Sequence, residues 1–263
     1  MQQKTVKRPR RFRTVFISDV HLGFRGASAD ALLAFLTTCE CETLYMAGDI
    51  IDIHALRRKR YWPQAHNDVL RAVLDKARAG TRVVYIPGNH DEMLRDFVGH
   101  RFGNIEIAEQ VIHATADGRR LLVTHGDEFD TVVRSARWLG VLGGHLYGVL
   151  LALNHWVNVI RRRCGAPHWS LAAFLKSRVK NAVQYISRYE EAVAYAAVRA
   201  GVDGVVCGHI HRAQITRFED IEYHNCGDWV ESRTALVEHH DGAIEVVQWA
   251  EPLAAALPIL AAA

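Results

Sequence analysis

The sequence has few prolines and glycines, few cysteines and almost no excess charge of either sign. With 6 prolines and 19 glycines among 263 residues it is neither collagen-like nor low in complexity, and 49% hydrophobic residues exclude a disordered chain. Lys and Arg number 32 against 29 Asp and Glu, so the formal net charge is only +3. That balance excludes a strongly basic protein that coats nucleic acid, and we expect no nucleic-acid partner.

Cysteine is too sparse for a disulfide-built domain. The cysteines form no CxxC pair and their number is odd: Cys39, Cys41, Cys164, Cys207 and Cys226. A reducing compartment is the simpler expectation, so we predict a cytoplasmic protein. The basic start, MQQKTVKRPRRFR, is not followed by an apolar run, and we therefore expect no signal peptide. Histidine, by contrast, is abundant at 15 residues, which favours metal or proton chemistry.

Short apolar runs alternate with helical patterns in the first half of the chain, as in a layered α/β core. Helices are predicted around residues 32–36 and 69–77, and residues 131–200 have a helical pattern throughout, which predicts a helical insert or cap. Short strands and turns are predicted after residue 212. The earlier strands are predicted at residues 14–18, 43–47, 82–86, 121–124 and 204–207.

Each of these five predicted strands runs into polar residues that are able to bind a metal ion. Strand C-termini in an α/β sheet converge on one edge, so residues far apart in sequence are expected to meet there. Imidazole and carboxylate groups without a thiolate suit manganese, iron or zinc. Their number favours two ions that share a carboxylate, as in enzymes that break phosphate esters. The motifs are Asp19-Val20-His21, Gly48-Asp49, Gly88-Asn89-His90-Asp91, His125-Gly126-Asp127 and Gly208-His209-Ile210-His211.

The motifs DxH, GDxxD, GNHD, H and GHxH, in this order, resemble those of the calcineurin-like metallophosphoesterases over roughly residues 13–230, apart from the insert. The resemblance implies a two-sheet α/β sandwich in a single metallophosphoesterase domain, residues 1–263, with the helical insert at 131–200. It also implies two divalent metal ions, for which we expect Mn2+, with iron or zinc as alternatives.

The resemblance also assigns roles to individual residues. His90 and Asn89 are expected to contact the substrate, and Asp52 is expected to orient His90, so that His90 and Asp52 form the catalytic pair. Asp49 is expected to bridge the two ions. The implied ligands are Asp19, His21, Asp49 and His211 for one ion, and Asp49, Asn89, His125 and His209 for the other.

Several longer stretches, among them AGDIIDIHALRR, YWPQAHNDV, HGDEFD and NCGDWVES, resemble the UDP-2,3-diacylglucosamine diphosphatase family. This resemblance implies hydrolysis of the pyrophosphate of UDP-2,3-diacylglucosamine to UMP and 2,3-diacylglucosamine 1-phosphate, a step of lipid A synthesis. The best-known members have arginine where this chain has His90. A general metal-dependent phosphodiesterase or phosphatase, acting on another nucleotide or lipid phosphoester, is therefore the alternative.

Residues 138–160 form a run of 23 residues without a formally charged group, and Arg161-Arg162-Arg163 follows. The run is long enough to span a bilayer, but His125 before it and His209 after it must reach the same metal ion. It is therefore a core helix, a protein interface, or a helix that lies on the membrane, and we favour the last. We expect a peripheral enzyme on the cytoplasmic face of the inner membrane, with a nucleotide-activated glycolipid as substrate and Arg57 and Arg58 beside its phosphates.

Overall fold

The computed structural model describes residues 10–130 and 171–249, with side chains described for residues 10–130 and 185–249. The predicted run at residues 138–160 and Arg161–Arg163 lie outside the described residues. The helices are α1 (Ala29–Thr38), α2 (Ile53–Arg58), α3 (Gln64–Arg78) and α4 (Leu171–Ala200). The strands are β1 (Arg10–Ile17), β2 (Cys39–Ala47), β3 (Arg82–Ile86), β4 (Arg101–Phe102), β5 (Ile105–Ile107), β6 (Val111–Ala114), β7 (Arg120–Val123), β8 (Gly204–Cys207), β9 (Gln214–Phe218), β10 (Ile221–Asn225), β11 (Thr234–Glu238) and β12 (Ile244–Gln248).

The strands form two mixed sheets, which confirms the predicted α/β sandwich. One sheet has seven strands in the order β12-β11-β1-β2-β3-β5-β4, and the other has five in the order β6-β7-β8-β10-β9. Strands β1, β2 and β3 are parallel neighbours in the first sheet, and β7 and β8 are parallel neighbours in the second. These are the five strands that lead into the polar motifs, so their C-terminal ends lie at common sheet edges.

The alternation of side chains along β1 explains how the first sheet is buried on both faces. Val15 and Ile17 pack on the helix side, in the cluster that contains Phe35 of α1 and Val69 of α3. Phe16, between them, points to the other face and packs with a second cluster that includes Val206 of the other sheet. A parallel strand buried on both faces has a continuous apolar run rather than an alternating one, which is why the run predicts a strand.

A buried polar network also joins the two sheets. Glu238 of β11 is fully buried and accepts hydrogen bonds from Arg13 of β1 at 2.6 Å and from the backbone N–H of Ala116 at 2.8 Å. Nε2 of His113 on β6 lies 2.8 Å from the other Glu238 oxygen, and Nδ1 of His113 lies 3.3 Å from the hydroxyl of Tyr45 on β2. Both oxygens of the Glu238 carboxylate therefore have hydrogen-bond partners, as a buried charge requires.

Contacts divide the chain into two compact units, Met1–Asp127 with Ala196–Ala263, and Glu128–Tyr195. Within the predicted insert at 131–200, the described part is the helix α4. The prediction of one domain with an insert at 131–200 stays a prediction. Among the helices in the described part of the chain, none combines the length and the apolar character that crossing a bilayer requires.

Candidate metal centre

Five of the seven predicted metal ligands have a left-handed backbone, which only glycine adopts without cost. The φ angles are 52° at Asp19, 54° at His21, 54° at Asp49, 69° at His209 and 55° at His211. Each residue lies just beyond the end of a strand, where the chain must turn sharply. Non-glycine residues with positive φ are uncommon and cluster at functional sites, where the surrounding structure maintains the strain.

Glycines in the same motifs make room for the site side chains. A Cβ at Gly48 would overlap the ring of His125, one at Gly88 would overlap the Asp49 carboxylate, and one at Gly208 would overlap the Asp19 carboxylate. The sequence pattern of an apolar strand followed by Gly and a polar residue therefore has a steric cause. The backbone of one loop lies directly against the functional side chain of another.

The structure brings the predicted carboxylates and imidazoles into one cluster. Oδ2 of Asp49 lies 3.9 Å from Nε2 of His21 and 3.5 Å from Nε2 of His125. Nε2 of His211 lies 3.2 Å from Oδ1 of Asp19. Three groups have ligand atoms that all lie within 4.8 Å of one another: Asp19, His21 and His211; Asp19, Asp49 and His125; and His21, Asp49 and His90. The first two groups share Asp19, and the last two share Asp49.

Four ligand atoms of the predicted metal ligands are buried and have no hydrogen-bond partner. They are Asp19 Oδ1, His21 Nε2, Asn89 Oδ1 and His125 Nε2. Buried polar atoms are almost always hydrogen-bonded in proteins, so a set of four unpaired ones in one place indicates a missing partner. Nitrogen and oxygen donors of this kind fit divalent ions such as Mn2+, Fe2+ or Zn2+.

The other atoms of these side chains are held by the fold. Nδ1 of His125 lies 2.9 Å from the carbonyl oxygen of Ala47, which places the ring proton on Nδ1 and leaves Nε2 as the lone-pair atom. Oδ2 of Asp19 accepts from the backbone N–H of His209 at 3.0 Å, and Oδ1 of Asp49 accepts from that of His90 at 2.7 Å. The contacts orient the remaining donor atoms toward the cluster.

His90 and Asp52 form a hydrogen-bonded pair beside the cluster. Nδ1 of His90 lies 3.0 Å from Oδ1 of Asp52, and Nδ1 of His21 lies 3.2 Å from Oδ2 of the same carboxylate. Asp52 therefore orients one predicted metal ligand and one predicted catalytic residue. Burial opposes its ionisation, but hydrogen bonds from His21, His90 and the Ala55 N–H hold the pKa of Asp52 well below its usual value.

The charges of the cluster shift the pKa values of two imidazoles, those of His125 and His211, upward in the metal-free chain. Burial lowers the pKa of His125, but the carboxylates of Asp49 and Asp19 outweigh it and raise the value to about 10. The pKa of His211 is likewise raised to about 9, against burial, chiefly by the charge of Asp19. Such a concentration of negative charge attracts cations, and protons compete with metal ions for the same nitrogens.

Two predicted ligands, His209 and Asn89, lie outside the three groups of close ligand atoms, and the two predicted arginines are exposed. The ring of His209 lies 5.2 Å from that of His125, centroid to centroid, and Oδ1 of Asn89 is one of the four unpaired buried atoms. Arg57 and Arg58 are exposed on the last turn of α2 and lie outside the cluster of possible metal ligands. The structure thus brings Asp19, His21, Asp49, His125 and His211 together with His90 and Asp52, places the ring of His209 beside that of His125, and leaves Arg57 and Arg58 exposed.

Sequence reasoning missed two residues of the site. Asp91, the last residue of GNHD, is fully buried and accepts from the backbone N–H groups of Ile50 at 2.9 Å and Gly88 at 2.6 Å. The position of Asp91 in the GNHD motif is the sequence feature that indicates its role as a buried acceptor between two loops. His54, whose ring lies 5.0 Å from that of His90, follows no strand and has no sequence signal.

Comparisons with known proteins place most of the chain in one family and find similar proteins. A model of the calcineurin-like phosphoesterase family matches residues 12–213. A protein named UDP-2,3-diacylglucosamine hydrolase from Ralstonia nicotianae is 26% identical over 254 residues, 91% of this chain and 92% of that protein. A protein of the same name from Azotobacter vinelandii is 27% identical over 77% of this chain and 83% of its own length. A solved structure of a Vps29 mutant from Entamoeba histolytica is 14% identical, covers 90% of this chain and 99% of its own, and has a TM-score of 0.43.

Proposed function

The chain belongs to the calcineurin-like phosphoesterase family, and within that family we propose that it hydrolyses the pyrophosphate of UDP-2,3-diacylglucosamine. The chain is a metallophosphoesterase, and its Asp and His cluster is the site for the dinuclear centre of the family. The choice of substrate is supported by relatives named UDP-2,3-diacylglucosamine hydrolase, which align with most of this chain at 26–27% identity. The products would be UMP and 2,3-diacylglucosamine 1-phosphate, as in lipid A synthesis.

We assign seven residues as metal ligands, with Mn2+ as the proposed ion and iron or zinc as alternatives. The observation that carries the assignment is the set of four buried ligand atoms without a hydrogen bond: Asp19 Oδ1, His21 Nε2, Asn89 Oδ1 and His125 Nε2. Asp49, whose Oδ2 lies near both His21 and His125, is the proposed bridge. The proposed ligands are Asp19, His21, Asp49 and His211 for one ion, and Asp49, Asn89, His125 and His209 for the other.

Two divalent ions in such a site supply a water of lowered pKa and neutralise the oxygens of the phosphate. The chain itself supplies a proton donor in His90. Asp52 holds the Nδ1 proton of His90, and Nε2 of His90 lies 4.0 Å from Oδ2 of Asp49, at the border of the cluster. A protonated His90 donates from Nε2 to the oxygen of the leaving phosphate as the bond to phosphorus breaks. Asn89 and His90 together position the phosphate that is cleaved.

A second candidate is a general phosphodiesterase or phosphatase on another nucleotide or lipid phosphoester. It is favoured by the His90–Asp52 pair, because the best-known diacylglucosamine diphosphatases have arginine at the position of His90. A protonated imidazole can give its proton to a leaving group, whereas a guanidinium keeps its protons and only stabilises charge. The two candidates share the metal chemistry and differ in the group that is released.

We also propose that the enzyme acts at the cytoplasmic face of the inner membrane, as a peripheral protein. The support comes from the sequence, in the uncharged run at residues 138–160 and the arginines at 161–163. In this proposal residues 131–200 form an insert of a single domain, and the run contacts acyl chains or the membrane surface. Arg57 and Arg58 contact substrate phosphates.

A panel of substrates tests the proposal directly. The purified chain, loaded with Mn2+, is assayed on UDP-2,3-diacylglucosamine, bis-p-nitrophenyl phosphate, cyclic AMP and single-stranded DNA. We expect the highest kcat/KM on the lipid substrate, with UMP as a product. If bis-p-nitrophenyl phosphate or cyclic AMP is cleaved and the lipid substrate is not, the second candidate replaces the first. Cleavage of DNA alone contradicts both.

A further inference from the structure

Helix α2 presents three basic side chains, His54, Arg57 and Arg58, on one side. At about 100° per residue these positions fall within an arc of about 100°, and Leu56 lies on the opposite side. Leu56 packs against the loop after β1, where a Cβ on Gly23 would lie 2.7 Å from its Cγ. The basic side of α2 therefore faces away from the packing contact that holds the helix.

The first turn of α2 is tied to His90. Oδ1 of Asp52 accepts from the N–H of Ala55 at 2.7 Å and also lies 3.0 Å from Nδ1 of His90. The N–H of Ile53 donates to the carbonyl oxygen of His90 at 3.1 Å. One carboxylate thus caps the helix and orients the proposed proton donor, so the basic side of α2 begins at a fixed position beside His90.

His54 lies on the open side of His90. The two rings are 5.0 Å apart, centroid to centroid, and the side chain of His54 is 41% exposed. On another side of His90 the ring of His21 lies 4.7 Å away and is only 7% exposed. An exposed side of His90 is therefore bordered by His54, where a group that extends outward from the reacting phosphate can contact it.

Arg57 and Arg58 are available to bind an anion. Both are exposed, and neither makes an ion pair or hydrogen bond within the described ranges 10–130 and 185–249. The Glu92 carboxylate lies 4.0 Å from Nε2 of His54, but it is 62% exposed, so solvent weakens its field. Two uncompensated guanidinium groups one turn beyond His54 are suited to bidentate contacts with phosphate oxygens.

We propose that His54, Arg57 and Arg58 form a subsite for the phosphoryl group that adjoins the one being cleaved. The proposal rests on the proposed function, in which His90 faces the scissile phosphate. A diphosphate ester has a second anionic group one bridging oxygen away, which matches a basic row that starts beside His90 and continues outward along α2. The subsite selects substrates with two linked phosphates over simple diesters, and it gives His54 a role in specificity.

The test compares two substrates in the full-length, Mn2+-loaded chain. We expect the double substitution Arg57→Gln with Arg58→Gln, and separately His54→Gln, to lower kcat/KM on UDP-2,3-diacylglucosamine by roughly 10–100-fold, the effect of losing hydrogen bonds to a charged group. The loss on bis-p-nitrophenyl phosphate should be at least about tenfold smaller. Arg217→Gln, on exposed β9, is the matched control for loss of one surface charge. Equal losses on both substrates would overturn the subsite, and circular dichroism of each variant excludes unfolding as their cause.

A separate measurement keeps this proposal distinct from the proposed function. If the wild-type chain does not cleave the lipid substrate, the proposed function fails, and the subsite is tested by inhibition of bis-p-nitrophenyl phosphate hydrolysis. Inorganic pyrophosphate should inhibit the wild type more strongly than inorganic phosphate does, at constant free Mn2+. In the double arginine variant, pyrophosphate should inhibit no more strongly than phosphate. The subsite is contradicted if the two anions inhibit the wild type equally, or if pyrophosphate remains as much the stronger inhibitor in the variant as in the wild type.

Discussion

The hydroxyl of Tyr85 donates a hydrogen bond of 2.5 Å to Oδ2 of Asp91, and Asp91 has no exposed surface. Tyr85 belongs to β3, and the same Asp91 oxygen accepts the N–H of Ile50 from the loop after β2. Oδ1 accepts the N–H of Gly88 at 2.6 Å. Asp91 thereby joins the loop that carries Asp49 to the loop that carries its own neighbours Asn89 and His90, without itself facing the cluster.

The substitution Asp91→Asn should destabilise the chain and weaken metal binding. An amide keeps one acceptor oxygen and turns its NH2 group toward N–H donors, which leaves buried donors unpaired at a cost of about 1–3 kcal/mol each. Urea unfolding and metal content per chain measure the two effects. Tyr85→Phe removes only one hydrogen bond, so it should reduce the unfolding free energy and the metal content less than Asp91→Asn does. A variant with wild-type stability and metal content would show that the loops are held by other contacts.

The substitution Asp49→Ala should remove both metal ions and abolish turnover. Asp49 is the proposed bridge, and without it two cations would face each other with less shared negative charge. Metal content per chain, measured by mass spectrometry on the purified variant, is the readout. Asp241→Ala, in the exposed turn between β11 and β12, is the control. Two ions retained in the Asp49 variant would contradict the assignment.

The substitution His90→Ala should slow turnover by about 10²–10⁴-fold, the usual contribution of a general acid, while metal content stays at the wild-type value. Asp52→Asn should lower activity less, because it leaves His90 in place but removes the carboxylate that holds its proton. His90→Arg separates two roles of a cation at this position. Activity on the lipid substrate should largely survive this change if the leaving phosphate only needs its charge stabilised, and should be lost if the leaving oxygen needs a proton from His90.

Loading the metal-free chain with Mn2+ should release protons at pH 7. The carboxylates raise the pKa of His125 to about 10 and that of His211 to about 9, so both imidazoles bind protons in the metal-free chain at neutral pH. Metal ions need the deprotonated nitrogens, and affinity should therefore rise as the pH increases from 6 to 9. Calorimetric titration in two buffers with different heats of ionisation measures the release. Equal heats in both buffers would contradict the prediction.

Stability of the metal-free chain should fall in acid partly through Glu238. Burial opposes its ionisation, but hydrogen bonds from His113 and the Ala116 N–H lower its pKa from 4.5 to about 2. Because the folded value lies below the unfolded one, ionised Glu238 stabilises the fold above about pH 4.5, and this stabilisation is lost as the pH falls toward 2. The full effect is up to about 3 kcal/mol.

Urea unfolding of the metal-free wild type and of Glu238→Gln, between pH 3 and 6, isolates this contribution. The difference in unfolding free energy between the two should be largest at pH 6 and should shrink as the pH falls. The carboxylates of the metal centre titrate in both proteins, so their contribution cancels in the comparison. A difference that stays constant with pH would show that folding does not lower the pKa of Glu238.

The fold class and the members of the cluster could be predicted from the sequence because both depend on local patterns. Residues 43–47 and 82–86 are apolar runs, and a strand buried on both faces needs such a run. Each run leads within three residues to Asp49 or Asn89, and parallel strands bring their C-terminal ends to one edge. The strand-end position alone therefore indicates that these residues meet.

Only the tertiary structure decided the relationships between loops. Asp52 contacts His21, 31 residues away, in addition to the contact with His90 that the family resemblance implies, and Asp91 reaches back to Ile50. Glu238 and His113 form a buried pair across 125 residues. Their sequence neighbourhoods contain no apolar period or turn signal that specifies a distant partner. His54 is the clearest case, because a histidine on a short exposed helix becomes part of the site only when α2 is packed against the loop of His90. Local propensity determines which residues end a strand, whereas packing of whole elements determines which side chains those residues meet.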